Sequence, residues 1–280
     1  MTDTPLEILS LGGGVQSSTL LLMSCRGELP KLDAAIFSDT CWESDETYAH
    51  IEWLTAEAER AGIPVLCVTG GNLRDRTVEG WARGTKGDGK RFASLPLFTR
   101  AADGSVGMLK RQCTKEYKIL PVQRAIRGLL GQRPGQRWPT DVAVNLWFGI
   151  SRDEMRRVRV PDKAWKAHVY PLIGLEKRYA RVARAMTRED CRQWMDTTYG
   201  RIAPRSACLG CPFRSNAEWR GIRASRHWTD VVEVDATIRH RGGIRGDLFL
   251  HSSCVPLAEA DLNDAAMPLF GRECFGQCWT

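Results

Sequence analysis

A chain of 280 residues with 43% hydrophobic content and ten cysteines is long enough for one large α/β domain, or a domain with a smaller appendage, around a well-buried core. Forty Lys and Arg against 33 Asp and Glu leave a formal charge of +7, which suits anionic partners such as nucleotides, sulfate or nucleic acid, and equally suits plain solubility. No apolar run reaches the roughly 20 residues that cross a bilayer, and the acidic start Met1-Thr2-Asp3 does not read as a secretory leader, so the expectation is a cytoplasmic protein without a membrane partner, whose cysteines serve metal, cluster or redox chemistry.

Leu6, Ile8, Leu9 and Leu11 read as a buried strand, Ser18 to Met23 as an apolar helix, and Gly12, Gly13 and Gly14 occupy the turn between them. Such a turn lets the backbone approach a phosphate closely. Consecutive N–H groups and the helix N-terminus favour the anion, and Ser17, Ser18 and Thr19 add hydroxyl donors. The spacing fits neither G-x-x-x-x-G-K-[ST], whose lysine is missing, nor G-x-G-x-x-G. Residues 32–40 predict a second strand ending in Asp39 and Thr40, which could meet adenine or ribose. Residues 44–62 predict an amphipathic helix capped by Ser44, and 63–70 a third strand. Cys25 and Cys67 lie in apolar contexts and are expected to pack in the core.

Residues 80–107, rich in Gly, Lys and Arg with little periodicity, predict a loop or lid, and a helix comes next over about 114–130. Residues 143–151 predict a fourth buried strand. The charged string after it makes Arg152, Arg156 and Arg157 candidates to neutralise phosphate or sulfate, with Lys118 a further phosphate ligand. Pro161, Pro171 and Gly174 interrupt the pattern beyond that string and divide the chain into a nucleotide-binding domain over 1–165 and a cysteine-rich subdomain over 166–280. In the latter a helix runs from Thr187, its cap, to about Thr197. The predicted fold class is α/β, a doubly wound parallel sheet with a cysteine-rich, mostly helical C-terminal subdomain.

Cys208-Leu209-Gly210-Cys211-Pro212 is a C-x-x-C turn outside the βαβ core, unlike a thioredoxin site. Its spacing allows structural zinc, an iron–sulfur cluster or a redox dithiol. Cys113, Cys191, Cys254, Cys274 and Cys278 complete the cysteines in polar contexts, and His251 reads as a structural histidine.

The stretch SLGGGVQSS (10–18) resembles the S-G-G-x-x-S pyrophosphate loop of the adenine-nucleotide α-hydrolase-like superfamily, with Gly12 in place of the usual first serine and Gln16 where many members carry aspartate. FSDTCWESDETY (37–48) is similar to the Asp-Thr-Gly…Glu-Thr segment of phosphoadenosine-phosphosulfate (PAPS) reductases. CTKEYKILPV (113–122) is similar to their Cys-x-x-x-x-Lys-x-x-Pro helix, and FGISRDEMRR (148–157) to their Gly-x-Arg-x-x-Glu-Ser-x-x-Arg run. The resemblance spans roughly residues 6 to 160 and implies a Rossmann-like domain that binds ATP, or a PAPS- or APS-like adenine nucleotide, with Mg²⁺. The residues it implies at that nucleotide are Ser10, Gly12, Gly13, Gly14, Val15, Gln16, Ser17 and Ser18, with Asp39, Thr40, Lys118, Arg152 and Arg157.

A pyrophosphate loop combined with a cysteine cluster resembles cluster-bearing sulfonucleotide reductases, tRNA thiolases and phosphorothioate DNA-modification ATP pyrophosphatases. This implies a [4Fe–4S] cluster on Cys113, Cys208 and Cys211, with a fourth ligand from the tail, Cys274 or Cys278, or from Cys191 or Cys254, or else an open iron site, although Gln112 precedes Cys113 where the reductases carry an adjacent cysteine pair. The tail ECFGQCW (273–279) resembles the reductases' mobile Glu-Cys-Gly nucleophile, which makes Cys274 and Cys278 catalytic candidates beside Arg152 and Arg157. The implied activity is adenylation of a nucleic-acid or small-molecule acceptor for sulfur or nitrogen transfer, which needs a sulfur donor. The alternatives are a sulfonucleotide reductase, which needs a reductant, and a non-catalytic nucleotide-binding protein with structural zinc.

Overall fold

The computed structural model describes residues 4–79, 81–82, 90–91, 95–174, 185–241, 244 and 246–263. In chain order the elements begin with β1 (Leu6–Leu11), α1 (Val15–Cys25), β2 (Ala34–Asp39), α2 (Asp45–Arg60), β3 (Val65–Thr69) and α3 (Leu73–Glu79). A ribbon of β4 (Trp81–Ala82) and β5 (Lys90–Arg91) and a hairpin of β6 (Phe98–Arg100) and β7 (Val106–Met108) come after them. A π-helical turn, Lys115–Ile119, then runs into α4 (Leu120–Leu129). Next come β8 (Val144–Phe148), a 3-10 segment at Arg152–Arg157, β9 (Lys166–Val169), α5 (Arg188–Tyr199), α6 (Asn216–Arg223), α7 (Trp228–Ile238) and β10 (Asp247–Phe249). Among the described residues no helix is long and apolar enough to cross a membrane.

The central sheet has the order β3-β2-β1-β8-β9, and every pairing in it is parallel. The central strands are largely buried on both faces because successive side chains feed different cores. Leu9 and Trp147 pack with α1, α2 and α5 on one face, while Ile8, Ile36, Leu146 and Phe148 pack with Val122 and Ile126 of α4 on the other. Winding outward from β1 in both directions places the switch of strand order between β1 and β8. The crevice at their carboxyl ends is where open α/β sheets bind ligands.

Local signals set the helix starts. Ser44 accepts the Thr47 N–H at 3.3 Å, and Thr187 with Asp190 forms a reciprocal capping box at the start of α5. α1 is buried from Val15 to Ser24, and its polar members are satisfied internally. Thr19 donates to the Val15 carbonyl at 2.8 Å, and Ser24 donates to the Pro30 carbonyl at 2.9 Å.

Three features depart from the sequence reading. The fifth strand of the sheet, β9, lies just past the expected boundary at residue 165, and α5 beyond it packs on α1. Part of the expected loop over 80–107 is instead the β6–β7 hairpin, which pairs antiparallel with β10 and buries Leu95, Leu97 and Phe98; residues 80, 83–89 and 92–94 lie outside the described residues. Cys67 is exposed, because β3 is an edge strand.

A second core joins Trp42, Leu97 and Tyr117 to Trp219, Val231, Val234 and Leu248. Asp235 fastens it. Its carboxylate, 1% exposed, accepts the N–H groups of Leu250 at 2.8 Å and Leu257 at 2.9 Å and pairs with Arg239. Asp235→Ala leaves a buried guanidinium, still bonded to the Leu248 carbonyl, without its counter-charge, and two buried N–H groups without their acceptor. It should lower unfolding free energy by about 3–5 kcal/mol, read as the denaturation midpoint in urea, with Asp235→Asn losing less.

Candidate functional site

β1 delivers the chain into the glycine turn at the switch point. Gly13 has φ +73°, which favours glycine, and a Cβ there would crowd Ile51 Cδ1 at 3.1 Å. Gly14 is the N-cap of α1, and it leaves the first turn of the helix without a side-chain cap. The Ser17 hydroxyl ties the turn together, accepting the Gly12 N–H at 3.2 Å and donating to the Gly14 carbonyl at 3.1 Å. From the other side of the crevice, Gly149 after β8 lies so close that a Cβ would be 2.6 Å from the Ser17 nitrogen.

The position where the resemblance has aspartate carries an amide that recruits a carboxylate from the neighbouring strand end. Gln16 Nε2 donates to Glu154 Oε2 at 2.7 Å and to Ser151 Oγ at 3.4 Å, and Arg157 donates to the same Glu154 oxygen at 2.6 Å. Arg152 is anchored through its N–H to the Met186 carbonyl at 2.9 Å and exposes its side chain, as does Arg156.

The other expected nucleotide residues divide. Gly12, Gly13, Gly14, Val15, Gln16 and Ser17 form the turn and the first turn of α1, and Ser10 is half-buried on β1 beside it. Ser18, expected among the phosphate donors, is fully buried and bonded to His50 Nε2 at 2.9 Å, between α1 and α2. Thr19 is likewise committed to the helix backbone. Asp39 accepts the Cys41 N–H at 2.7 Å and the Tyr48 hydroxyl at 3.0 Å, which shapes the turn after β2. Thr40 is buried and donates to Glu43 Oε1 at 2.7 Å. Lys118, in the π-helical turn, lies within electrostatic reach of Glu43.

Glu43 was not singled out by its sequence context, since an acidic residue just before a helix is ordinarily solvated. Here it is 5% exposed, and its Oε2 has no hydrogen-bond partner among the described residues. Burial pushes its carboxyl up, against the charge of Lys118 and the Thr40 hydrogen bond.

The C-x-x-C turn lies against the same edge. The Cys211 N–H donates to the Cys208 carbonyl at 3.1 Å. The interaction of the two thiols, with burial, raises Cys208, and the same interaction lowers Cys211. Arg214 donates to the carbonyls of Ala207 at 2.9 Å, Cys208 at 2.9 Å and Leu209 at 3.1 Å. The Leu209 N–H reaches the Trp42 carbonyl at 2.8 Å, and Gly210 lies on the Trp42 ring, where a Cβ would be 2.1 Å from the nearest ring carbon. Ser206, two residues before Cys208, donates its hydroxyl to the Gly12 carbonyl. The fold thus joins the glycine turn and the cysteine turn, a contact across 194 residues that no local pattern announces.

The expected cluster ligands are only partly brought together. Cys113 packs against the apolar cluster that holds Cys208 and lies within its electrostatic reach. Among the described residues, however, no three His, Cys, Asp or Glu side chains are grouped to hold a metal ion. Cys274 and Cys278 lie outside the described residues. Cys191 is buried beneath α1, where desolvation pushes its thiol up to about 12, and Cys254 is also buried. His251 bonds to Ser253 at 2.8 Å and to Asn216 at 3.1 Å.

No family model matches the chain, and no curated protein matches it. Among solved structures it is similar to a phosphoadenylyl-sulfate (PAPS) reductase from Candida auris in a phosphate complex, with 13% sequence identity and a TM-score of 0.35 over 74% of this chain and 84% of that one. A likeness this slight carries no argument about the site. What this chain itself defines is a mixed α/β protein with a five-stranded parallel sheet and a glycine turn at its switch point.

The Ser18–His50 contact has a pH consequence. Burial, then the nearby charge of Arg201, pulls His50 down to about 4, so the imidazole is neutral in the folded chain at pH 7. The unfolded chain binds this proton near pH 6.5. Stability from this group is therefore full above pH 6.5 and falls as the pH drops toward about 4, by at most roughly 3 kcal/mol. Urea midpoints compared at pH 7 and pH 4.5 should fall more steeply in the native chain than in His50→Gln.

Proposed function

We propose that the chain is an adenine-nucleotide-binding enzyme of the pyrophosphate-loop kind, which adenylates an acceptor and releases pyrophosphate. The observation that carries this reading is the uncapped start of α1, presented by a left-handed glycine at the switch point of the sheet. The N–H groups of Val15, Gln16 and Ser17 and the helix dipole would hold the β- and γ-phosphates. An acceptor oxygen attacks the α-phosphorus, the bond to the bridging oxygen breaks, and pyrophosphate departs into the glycine turn, where its charge is already matched. Mg²⁺ enters on the nucleotide as part of the substrate and supplies charge neutralisation at the phosphates. The adenylated centre is then open to a sulfur or nitrogen nucleophile.

The chain's own residues set the electrostatics of that step. Glu154 holds Arg157 at 2.6 Å and Gln16 at 2.7 Å, which fixes a guanidinium beside the loop, while Arg152 is free to turn toward the anion. Exposed Arg156, Arg159 and Lys163 on the same segment give an anionic acceptor, nucleic acid included, a surface to approach.

Incubation with MgATP and a panel of acceptors should release pyrophosphate and leave the adenylated acceptor, with AMP freed only when a sulfur or nitrogen nucleophile is added. Orthophosphate as the product would contradict the proposal. Gly13→Val, which cannot hold φ +73° beside Ile51, should abolish ATP binding in calorimetry while the chain stays folded. Arg152→Ala should cost about 1.5–3 kcal/mol of nucleotide binding or turnover, and wild-type values would return this side chain to the solvent-facing surface.

A further inference from the structure

We propose that Cys208 and Cys211 are a redox-active dithiol that exchanges reversibly with low-molecular-weight disulfides. The two cysteines stand on a single tight turn, closed by the Cys211 N–H on the Cys208 carbonyl at 3.1 Å, and both pack at one apolar cluster, which keeps their thiols close enough to pair. The turn is held from outside itself. Arg214 fastens three successive carbonyls, the Leu209 N–H is bonded to Trp42, and Gly210 is pressed on the Trp42 ring where any side chain would overlap it. A frame of this kind keeps the two sulfurs in register in either oxidation state.

Access distinguishes the two positions. Cys211 is partly exposed, with the guanidinium groups of Arg214 and Arg205 within electrostatic reach, whereas Cys208 is only 9% exposed. Cys211 is therefore the entry thiol and Cys208 the resolving one. The Cys211 thiolate attacks one sulfur of the small disulfide, whose S–S bond breaks and releases one thiolate, leaving a mixed disulfide on Cys211. Cys208 then attacks the Cys211 sulfur and expels the second thiolate. The protein dithiol loses two electrons, the small disulfide gains them, and the two protons of the dithiol end on the two released thiols.

The test is equilibration of the full, reduced chain in glutathione buffers of graded redox ratio, then acid quench and peptide mapping by mass spectrometry. The expected result is a reversible loss of two hydrogens confined to the peptide that contains residues 208–211, tracing a two-electron curve and restored by dithiothreitol. In Cys208→Ser, glutathione should be trapped on Cys211 on the order of ten times faster than on Cys208 in Cys211→Ser. The wild-type mapping decides the matter even if a serine variant fails to fold. Thiols at 208 and 211 that persist in excess glutathione disulfide would overturn the proposal, as would modification confined to exposed Cys41 and Cys67. Stoichiometric bound zinc or iron that must be chelated before either thiol reacts would overturn it as well.

Discussion

The site depends on one close backbone approach, that of Gly149 to the first turn of α1. With room for no Cβ between Gly149 and the Ser17 nitrogen, the end of β8 and the start of α1 share a single wall of the crevice. That contact is possible only because β1 and β8 are hydrogen-bonded neighbours in register, with Ser10 opposite Phe148. Strand order, glycine placement and helix start therefore express one constraint. A bulky residue at 149 would push α1 away from the sheet and change the loop without touching any polar group.

Around this wall the fold distributes charge in two ways. At the loop, groups are paired but accessible: Gln16, Glu154 and Arg157 form a short chain on which a carboxylate orients both an amide and a cation. Behind the loop they are sealed, with Glu43 buried beside the thiol pair and faced by Lys118 and Arg214. An unpartnered carboxylate oxygen in such a place is costly unless the group carries a proton, and burial raises the Glu43 carboxyl in that direction. The Ser206 bond to Gly12 and the packing of Gly210 on Trp42 make the two regions mechanically continuous.

Much of the scaffold was legible in the sequence because its signals are local. The apolar strands, the glycine turn, the Ser44 cap and the Thr187–Asp190 box each act within a few residues. What was not legible depends on partners far along the chain. β6 and β7 are three residues each and exist through β10, well over a hundred residues later. Thr40 and Ser18 read as ligand donors by type, but burial turned both hydroxyls to internal partners, Glu43 and His50. The C-x-x-C turn was visible as a motif, while Ser206 beside it carried no signal at all. Cys67 read as a core residue because a strand's composition does not say that it will lie at the edge of its sheet.

The central claim is that the glycine turn and the first turn of α1 form an anion site for a nucleotide's phosphates. The most direct measurement is a titration of the ¹⁵N-labelled chain with MgATP, monitored through backbone amide resonances. Saturable shifts should be largest at Gly12, Gly13, Gly14, Val15, Gln16 and Ser17, and reproduced at those amides by magnesium pyrophosphate alone. Saturable shifts centred elsewhere, with these six amides unmoved, would contradict it.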